Sequence, residues 1–261
     1  MPVLETENQF KACRRAVRFC YLCGRAIANG EPMNRDHVPP RSFFLPKHRR
    51  DVLILSTHRA CNDRQSARDE LGAQFMRVLH AGSPAPVGRQ LEMSVGQLPD
   101  GSPSAALHGV DLWGMIFRWV RGFHAALYTE FLPDRGGYIH TPFPLGHEEA
   151  DGRVVFVDHP QQYLAISNVL RVSRMARCVD RVLCNAGKCR FEAVWTTDDS
   201  GTTPMCVFAL RLYDWERLAS PVLPRRTCIG FYFAPRPASA SVEPIVRVPN
   251  RIGEWDVFDD Q

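Results

Sequence analysis

Cys20-Tyr-Leu-Cys23 and His58-Arg-Ala-Cys61 are two short clips with 34 residues between them, each presenting a pair of metal-ligating side chains. Four thiolate and imidazole donors in two clips are the set a closed tetrahedral zinc site requires. Gly24, directly after the first clip, permits the tight turn of a knuckle. The spacing predicts a structural zinc on Cys20, Cys23, His58 and Cys61. The competing arrangement leaves three buried thiols and a surface imidazole.

Between the clips runs Arg35-Asp36-His37-Val38-Pro39-Pro40-Arg41-Ser42, and Asn62 follows the second clip directly. Phosphodiester hydrolysis needs a group that deprotonates water and a divalent ion that neutralises charge on the scissile phosphate. On an extended backbone, Asp36 and His37 point to opposite sides, so one can serve an ion and the other the attacking water. The Asn62 carbonyl oxygen suits a hard ion such as Mg²⁺, and the zinc would hold it at the start of a helix.

Cys20-x2-Cys23, Asp36-His37-Val38-Pro39-Pro40-x-Ser42, Asp51-Val-Leu-Ile and His58-x2-Cys61-Asn62 together resemble the zinc-stapled branch of the HNH endonucleases over roughly residues 18–75. The resemblance implies a ββα-metal fold, His37 as general base, Asp36 and Asn62 as ligands of a catalytic Mg²⁺ or Mn²⁺, and DNA as substrate. Two positions depart from the family pattern. His58 stands where Cys is usual, which zinc accepts. Asp51 replaces the Asn that braces the loop of the general base; it accepts hydrogen bonds but cannot donate them as Asn does. That replacement motivates a second reading, a zinc-stabilised nucleic-acid-binding module without catalysis. Arg41, Arg59, Arg64 and Arg68 are the candidate contacts to backbone phosphates. RNA as substrate has no sequence feature for or against it, and double-strand cleavage by such a module would call for a homodimer.

The elements that must position these residues follow from periodicity. A short helix is expected over Lys11–Phe19, a strand over Asp51–Ser56 and a helix over Cys61–His80. Residues 81–104 are rich in Gly and Pro and read as a linker. Beyond it, Val110–Leu132 is apolar almost all round and reads as a central helix ended by Pro133, and Gln161–Val179 as a second helix. Trp113, Phe117, Trp119 and Phe123 are taken as core. Strands are expected over Val154–Val157, Phe191–Thr196, Met205–Tyr213 and Ile229–Phe233, with a turn at Asp198–Gly201 and an extended tail from Pro235. The fold class is α+β: a nuclease module at 1–80, a linker at 81–104 and an α+β accessory domain at 105–261.

Composition agrees with this picture. Hydrophobic residues make up 45% and charged residues 23% of 261, the balance of a globular protein. Residues 1–80 hold 14 of the 32 basic but only 8 of the 28 acidic residues, a net +6 against −2 for the rest, so positive potential is concentrated beside the clips. Nine cysteines, an odd number, favour a metal site plus core thiols at Cys178, Cys184, Cys189, Cys206 and Cys228 over a disulfide framework. The apolar runs are six residues at most, too short for a membrane span, and no leader-like apolar stretch follows Lys11, Arg14, Arg15 and Arg18. The cytoplasm is the expected compartment.

Overall fold

The structure, a computed structural model, describes residues 2–79, 92–97, 103–133, 137–141, 146–148, 154–156, 160–197, 201–213 and 227–241. Helix and strand are mixed, in keeping with α+β. No helix among the described residues is long and apolar enough to cross a membrane.

The chain opens with strand β1 (Val3–Leu4) and helix α1 (Glu7–Ala16). Thr6 and Gln9 form a capping box, the Thr6 hydroxyl accepting from Gln9 N–H and the Gln9 side chain from Thr6 N–H at 3.0 Å. That satisfies two of the amides a helix start leaves free. Strands β2 (Met33–Val38) and β3 (Leu53–His58) pair antiparallel with His37 opposite Ile54 and Asp36 opposite Leu55. Leu53, Leu55, Asp36 and Val38 are buried, and His37 and Ile54 are half-buried. The period of two thus separates the acid from the imidazole.

The expected helix over Cys61–His80 is two helices, α2 (Arg59–Asp63) and α3 (Ser66–Leu79). Gln65 N–H bonds Asn62 C=O at 2.9 Å, a tighter i to i+3 turn, and the Ser66 hydroxyl takes the Asp63 carbonyl at 2.8 Å. A side chain that satisfies a backbone carbonyl removes the need to continue the helical ladder.

Strand β4 (Glu92–Gln97), within the segment read as a linker, pairs antiparallel with β5 (Pro103–His108), Met93 opposite Leu107 and Val95 opposite Ala105. The segment's Gly and Pro content hid the alternation Glu-Met-Ser-Val. Helix α4 (Leu112–Tyr128) follows, with the Asp111 carboxylate accepting from Gly114 N–H at 2.8 Å. Pro133 does not end it; Thr129, in the left-handed conformation at φ 55°, does. Every residue from Met115 to Tyr128 is buried, so the helix is central, as its sequence implied.

Strands β6 (Gly137–His140), β7 (Gly146–Glu148) and β8 (Val154–Phe156), helix α5 (Pro160–Met175), and strands β9 (Asp180–Cys184), β10 (Cys189–Thr197), β11 (Pro204–Leu212) and β12 (Cys228–Phe233) complete the described elements. A six-stranded sheet runs β1-β9-β10-β11-β12-β6, antiparallel except that β1 lies parallel to β9. Phe191, Trp195, Phe208 and Tyr232 pack with α4, while Val194, Val207 and Phe231 pack with Ile166, Val169 and Leu170 of α5. A sheet covered on both faces explains the near-continuous apolar runs of β10 and β11. The cluster around α4 also takes in Phe10, Val38, Phe43, Leu53 and Phe75, so one continuous core joins the clip-bearing segment to the sheet. Burying a large apolar side chain contributes about 1.5–3 kcal/mol. Cys184, Cys189, Cys206 and Cys228 are buried thiols, and Cys178 is half-buried. The Asp198–Gly201 turn and the tail beyond 241 fall largely outside the described residues.

Candidate functional site

The first clip folds as a knuckle because its own backbone closes it. Cys20 C=O accepts from Cys23 N–H at 3.2 Å and Gly24 N–H at 2.8 Å, and Cys20 N–H donates to Arg25 C=O at 2.9 Å. Gly24 has φ +77°, and a Cβ there would lie 2.7 Å from the Phe131 ring. Only glycine fits this turn. The second clip spans the end of β3 and the first turn of α2. His58 sits at the N-cap without using its side chain as a cap, which leaves the imidazole free.

The ligand atoms of Cys20, Cys23, His58 and Cys61 all lie within 4.8 Å of one another, and a metal ion such as zinc could be held there. Ligands about 2.0–2.3 Å from a tetrahedral centre fit within that spread. His58 turns Nδ1 toward Cys23 Sγ, 3.3 Å away, and Nε2 toward Glu31 Oε2 at 3.3 Å. The latter contact is out of line for a hydrogen bond, and Nε2 has no hydrogen-bond partner among the described residues. Glu31 is nonetheless the carboxylate placed to fix the imidazole, as outer partners of ligating histidines do. Burial raises the Cys23 thiol, but hydrogen bonds from the Arg25 backbone and side chain, His58 and Cys20 outweigh it and bring the group down to about 6. Fully buried Cys20 is pushed up to about 11. Of these two, Cys23 offers a thiolate the more readily.

Beside this cluster a cleft of about 490 Å³ is lined by Asp36, His37, Arg41, Ser42, Asn62, Asp69 and Gln74, among others. The structure thus brings Asp36, His37 and Asn62, which come from β2 and α2, to one cavity. His37 has a pKa below its ordinary value because burial disfavours the imidazolium; Asp36 opposes that and Arg41 adds to it. Asn62 makes no side-chain hydrogen bond to any described residue. Asp36 is buried, and its Oδ2 accepts from the Tyr21 hydroxyl at 2.5 Å and from Arg118 Nη2 at 2.7 Å. Oδ1 has no hydrogen-bond partner among the described residues. Arg118 also donates to Asp69 Oδ1 at 2.7 Å.

Asp51 does not reach the cleft. It is exposed, at φ 52°, and its carbonyl accepts from Asn185 N–H at 3.0 Å while Arg50 C=O accepts from Ala186 N–H. The loop that follows His37 is anchored instead by Tyr213, whose hydroxyl accepts from Leu45 N–H at 2.7 Å and whose ring stacks on Phe44. Of the four arginines singled out, Arg41 is exposed at the cleft and Arg59 is exposed beside the second clip. Arg64 donates to Cys61 Sγ at 3.5 Å, and Arg68 pairs with Asp111 at 3.3 Å.

Sequence reasoning missed Tyr21, Asp69, Arg118 and Arg121. Arg121 donates to Leu22 C=O in the first clip at 2.6 Å and stands over the Phe131 ring, so α4 grips the knuckle as well as the cleft. Two arginines three residues apart in a helix otherwise apolar all round were the available signal, because a buried guanidinium must find partners. Compared with protein-family models, curated proteins and solved structures, the chain matches none.

Proposed function

We propose that this protein is a metal-dependent endonuclease of the HNH type that hydrolyses DNA phosphodiester bonds, with zinc as a structural staple. The observation that carries the reading is the convergence of Asp36, His37 and Asn62 on one cleft adjoining the Cys₃His cluster. The chemistry of the donors fits both ions. Soft thiolates and an imidazole suit zinc, while a carboxylate oxygen and an amide without hydrogen-bond partners among the described residues suit Mg²⁺ or Mn²⁺, which keep several waters.

Zinc on Cys20, Cys23, His58 and Cys61 would fasten the knuckle to the start of α2 and so set Asn62 against β2. The divalent ion on Asp36 and Asn62 would neutralise charge on the scissile phosphate. His37, kept neutral near pH 7 by its lowered pKa, takes the proton from a water as that oxygen attacks phosphorus. The bond from phosphorus to the leaving sugar oxygen breaks, that oxygen takes a proton from solvent water, and His37 returns its own proton to solvent. Arg41, exposed at the rim, would meet a backbone phosphate without reading bases.

The alternative, a zinc-stabilised binding module without catalysis, is favoured by one observation: Arg118 and Tyr21 already occupy Asp36 Oδ2. Incubation of the purified chain with supercoiled plasmid, with and without Mg²⁺ or Mn²⁺, separates the two. A nuclease nicks only with added ion, and His37→Ala abolishes nicking while zinc content and DNA affinity persist. Zinc-loaded protein that binds DNA yet cuts neither DNA nor RNA is the binding module.

A further inference from the structure

Asp36 is held from two directions. Tyr21 lies between the two cysteines of the first clip, is 1% exposed, and donates its hydroxyl to Asp36 Oδ2. Arg118 comes from α4, 82 residues further along the chain, is 5% exposed, and donates to the same oxygen. Its other hand is engaged by Asp69, on the cleft wall. Both donors converge on Oδ2 and neither touches Oδ1. A carboxylate so gripped cannot rotate, and it offers one oxygen in one direction.

We propose that Tyr21 and Arg118 are positioning residues that aim Asp36 Oδ1 at the divalent ion of the cleft, so that the zinc clip and helix α4 both set the affinity of that ion. The proposal rests on the reading of Asp36 as an ion ligand. The two grips have different origins. Tyr21 transmits the shape of the knuckle, because it is flanked by Cys20 and Cys23 on a closed turn. Arg118 transmits the packing of α4, because its planar fork spans Asp36 and Asp69 in one fixed geometry. Residues that hydrogen-bond a ligating carboxylate typically alter metal affinity by 10–100-fold when removed.

The test uses the full-length zinc-loaded protein. Tyr21→Phe keeps the ring and loses only the hydroxyl, and Arg118→Lys keeps the charge and loses the fork. Mn²⁺ binding is measured without nucleic acid, by calorimetry or by the resonance of free Mn²⁺, with Asp36→Ala to identify the site. Zinc content and melting temperature are recorded alongside. The expected result is one Mn²⁺ site in the wild type that Asp36→Ala removes, about 10–100-fold weaker binding in Tyr21→Phe and Arg118→Lys, and one zinc per chain retained in each. Plasmid nicking should then need correspondingly more Mn²⁺ and recover at saturation, a split that loss of folded protein would not produce.

Wild-type Mn²⁺ affinity in Tyr21→Phe overturns the proposal, and that variant decides the matter if Arg118→Lys does not fold. A wild type without an Asp36-dependent Mn²⁺ site overturns both the proposal and the reading on which it rests. Mn²⁺ binding that weakens as expected, in a protein that cuts no nucleic acid, supports the proposal and removes the nuclease reading alone.

Discussion

Replacing Arg118 by Met removes a buried cation from between two carboxylates. The Arg118 side chain is 5% exposed, with Asp36 at 7% and Asp69 at 21%. Removing one partner of a buried ion pair costs about 3–5 kcal/mol, since the charge left behind is neither hydrated nor paired. Asp36 keeps the Tyr21 hydrogen bond, which places its share near the low end, and Asp69 is wet enough to add only about 1 kcal/mol. The sum is a loss of about 4 kcal/mol. For a chain of this size that corresponds to a melting temperature lower by roughly 8–16 °C. Urea unfolding followed by the fluorescence of buried Trp119 and Trp195, without added Mg²⁺ or Mn²⁺, reads it directly. The pH dependence supplies a sign. Burial already holds Asp69 above its ordinary carboxylate value although Arg118 opposes it, and without the guanidinium it rises further, so the folded state binds more protons and the deficit shrinks as pH falls from 7 to 5. Adding Asp36→Asn and Asp69→Asn to Arg118→Met should recover most of the loss, because no charge is then stranded. A deficit under about 1 kcal/mol, or one that stays constant from pH 7 to 5, would refute the reasoning.

Cleavage should fall on the acid side with a midpoint below the ordinary histidine value of about 6.5, because protonated His37 cannot accept a proton and burial lowers its pKa. An acid limb centred above pH 7 would contradict this. His124 is buried against the Tyr232 hydroxyl, and burial brings its pKa down to about 4. Unfolding lets it bind a proton below pH 6.5, so stability should drop by about 2 kcal/mol between pH 7 and 5, and His124→Gln should flatten that slope in urea titrations. At Gly24, alanine meets both a left-handed backbone and the Phe131 ring, whereas at Gly30, φ +81°, nothing lies within 4 Å of the added Cβ. Gly24→Ala should therefore cost clearly more than the roughly 1–2 kcal/mol of backbone strain expected for Gly30→Ala, and release zinc faster to a chromogenic chelator; equal losses would argue against the packing of the knuckle described above.

What could be read along the chain was what short-range geometry constrains. Two donors three residues apart share a turn wherever that turn lies, so the clips at Cys20–Cys23 and His58–Cys61 were legible, and the structure gathers all four ligand atoms. Likewise the apolar stripes of α4 and α5 and the runs of β10, β11 and β12 showed as periodicity, because helix and strand expose side chains at fixed intervals. The composition of 81–104 hid strand β4 for the same local reason. Gly96 and Pro103 read as turn residues, yet they belong to the paired strands β4 and β5. The break between α2 and α3 is marked by a tighter turn at Asn62–Gln65 and by the Ser66 hydroxyl on Asp63 C=O, which periodicity does not register.

Tertiary structure alone decided the partners. Nothing near Val3–Leu4 says that it pairs with Arg181–Val182, and nothing near Asp36 names Arg118 out of 32 basic residues. A buried guanidinium announces that it needs acceptors, but which acceptors it finds depends on how α4 crosses the β2–β3 hairpin. That crossing is set by packing: at Gly122 a Cβ would lie 2.7 Å from Val38, so only a residue without a side chain lets the helix come down on the strand beside Asp36. Residue types and spacing determined which ligands and which base this protein could offer. The close approach of one helix to one hairpin decided how the cleft's acid is held, because contact energies between distant segments are settled by shape complementarity across the whole core.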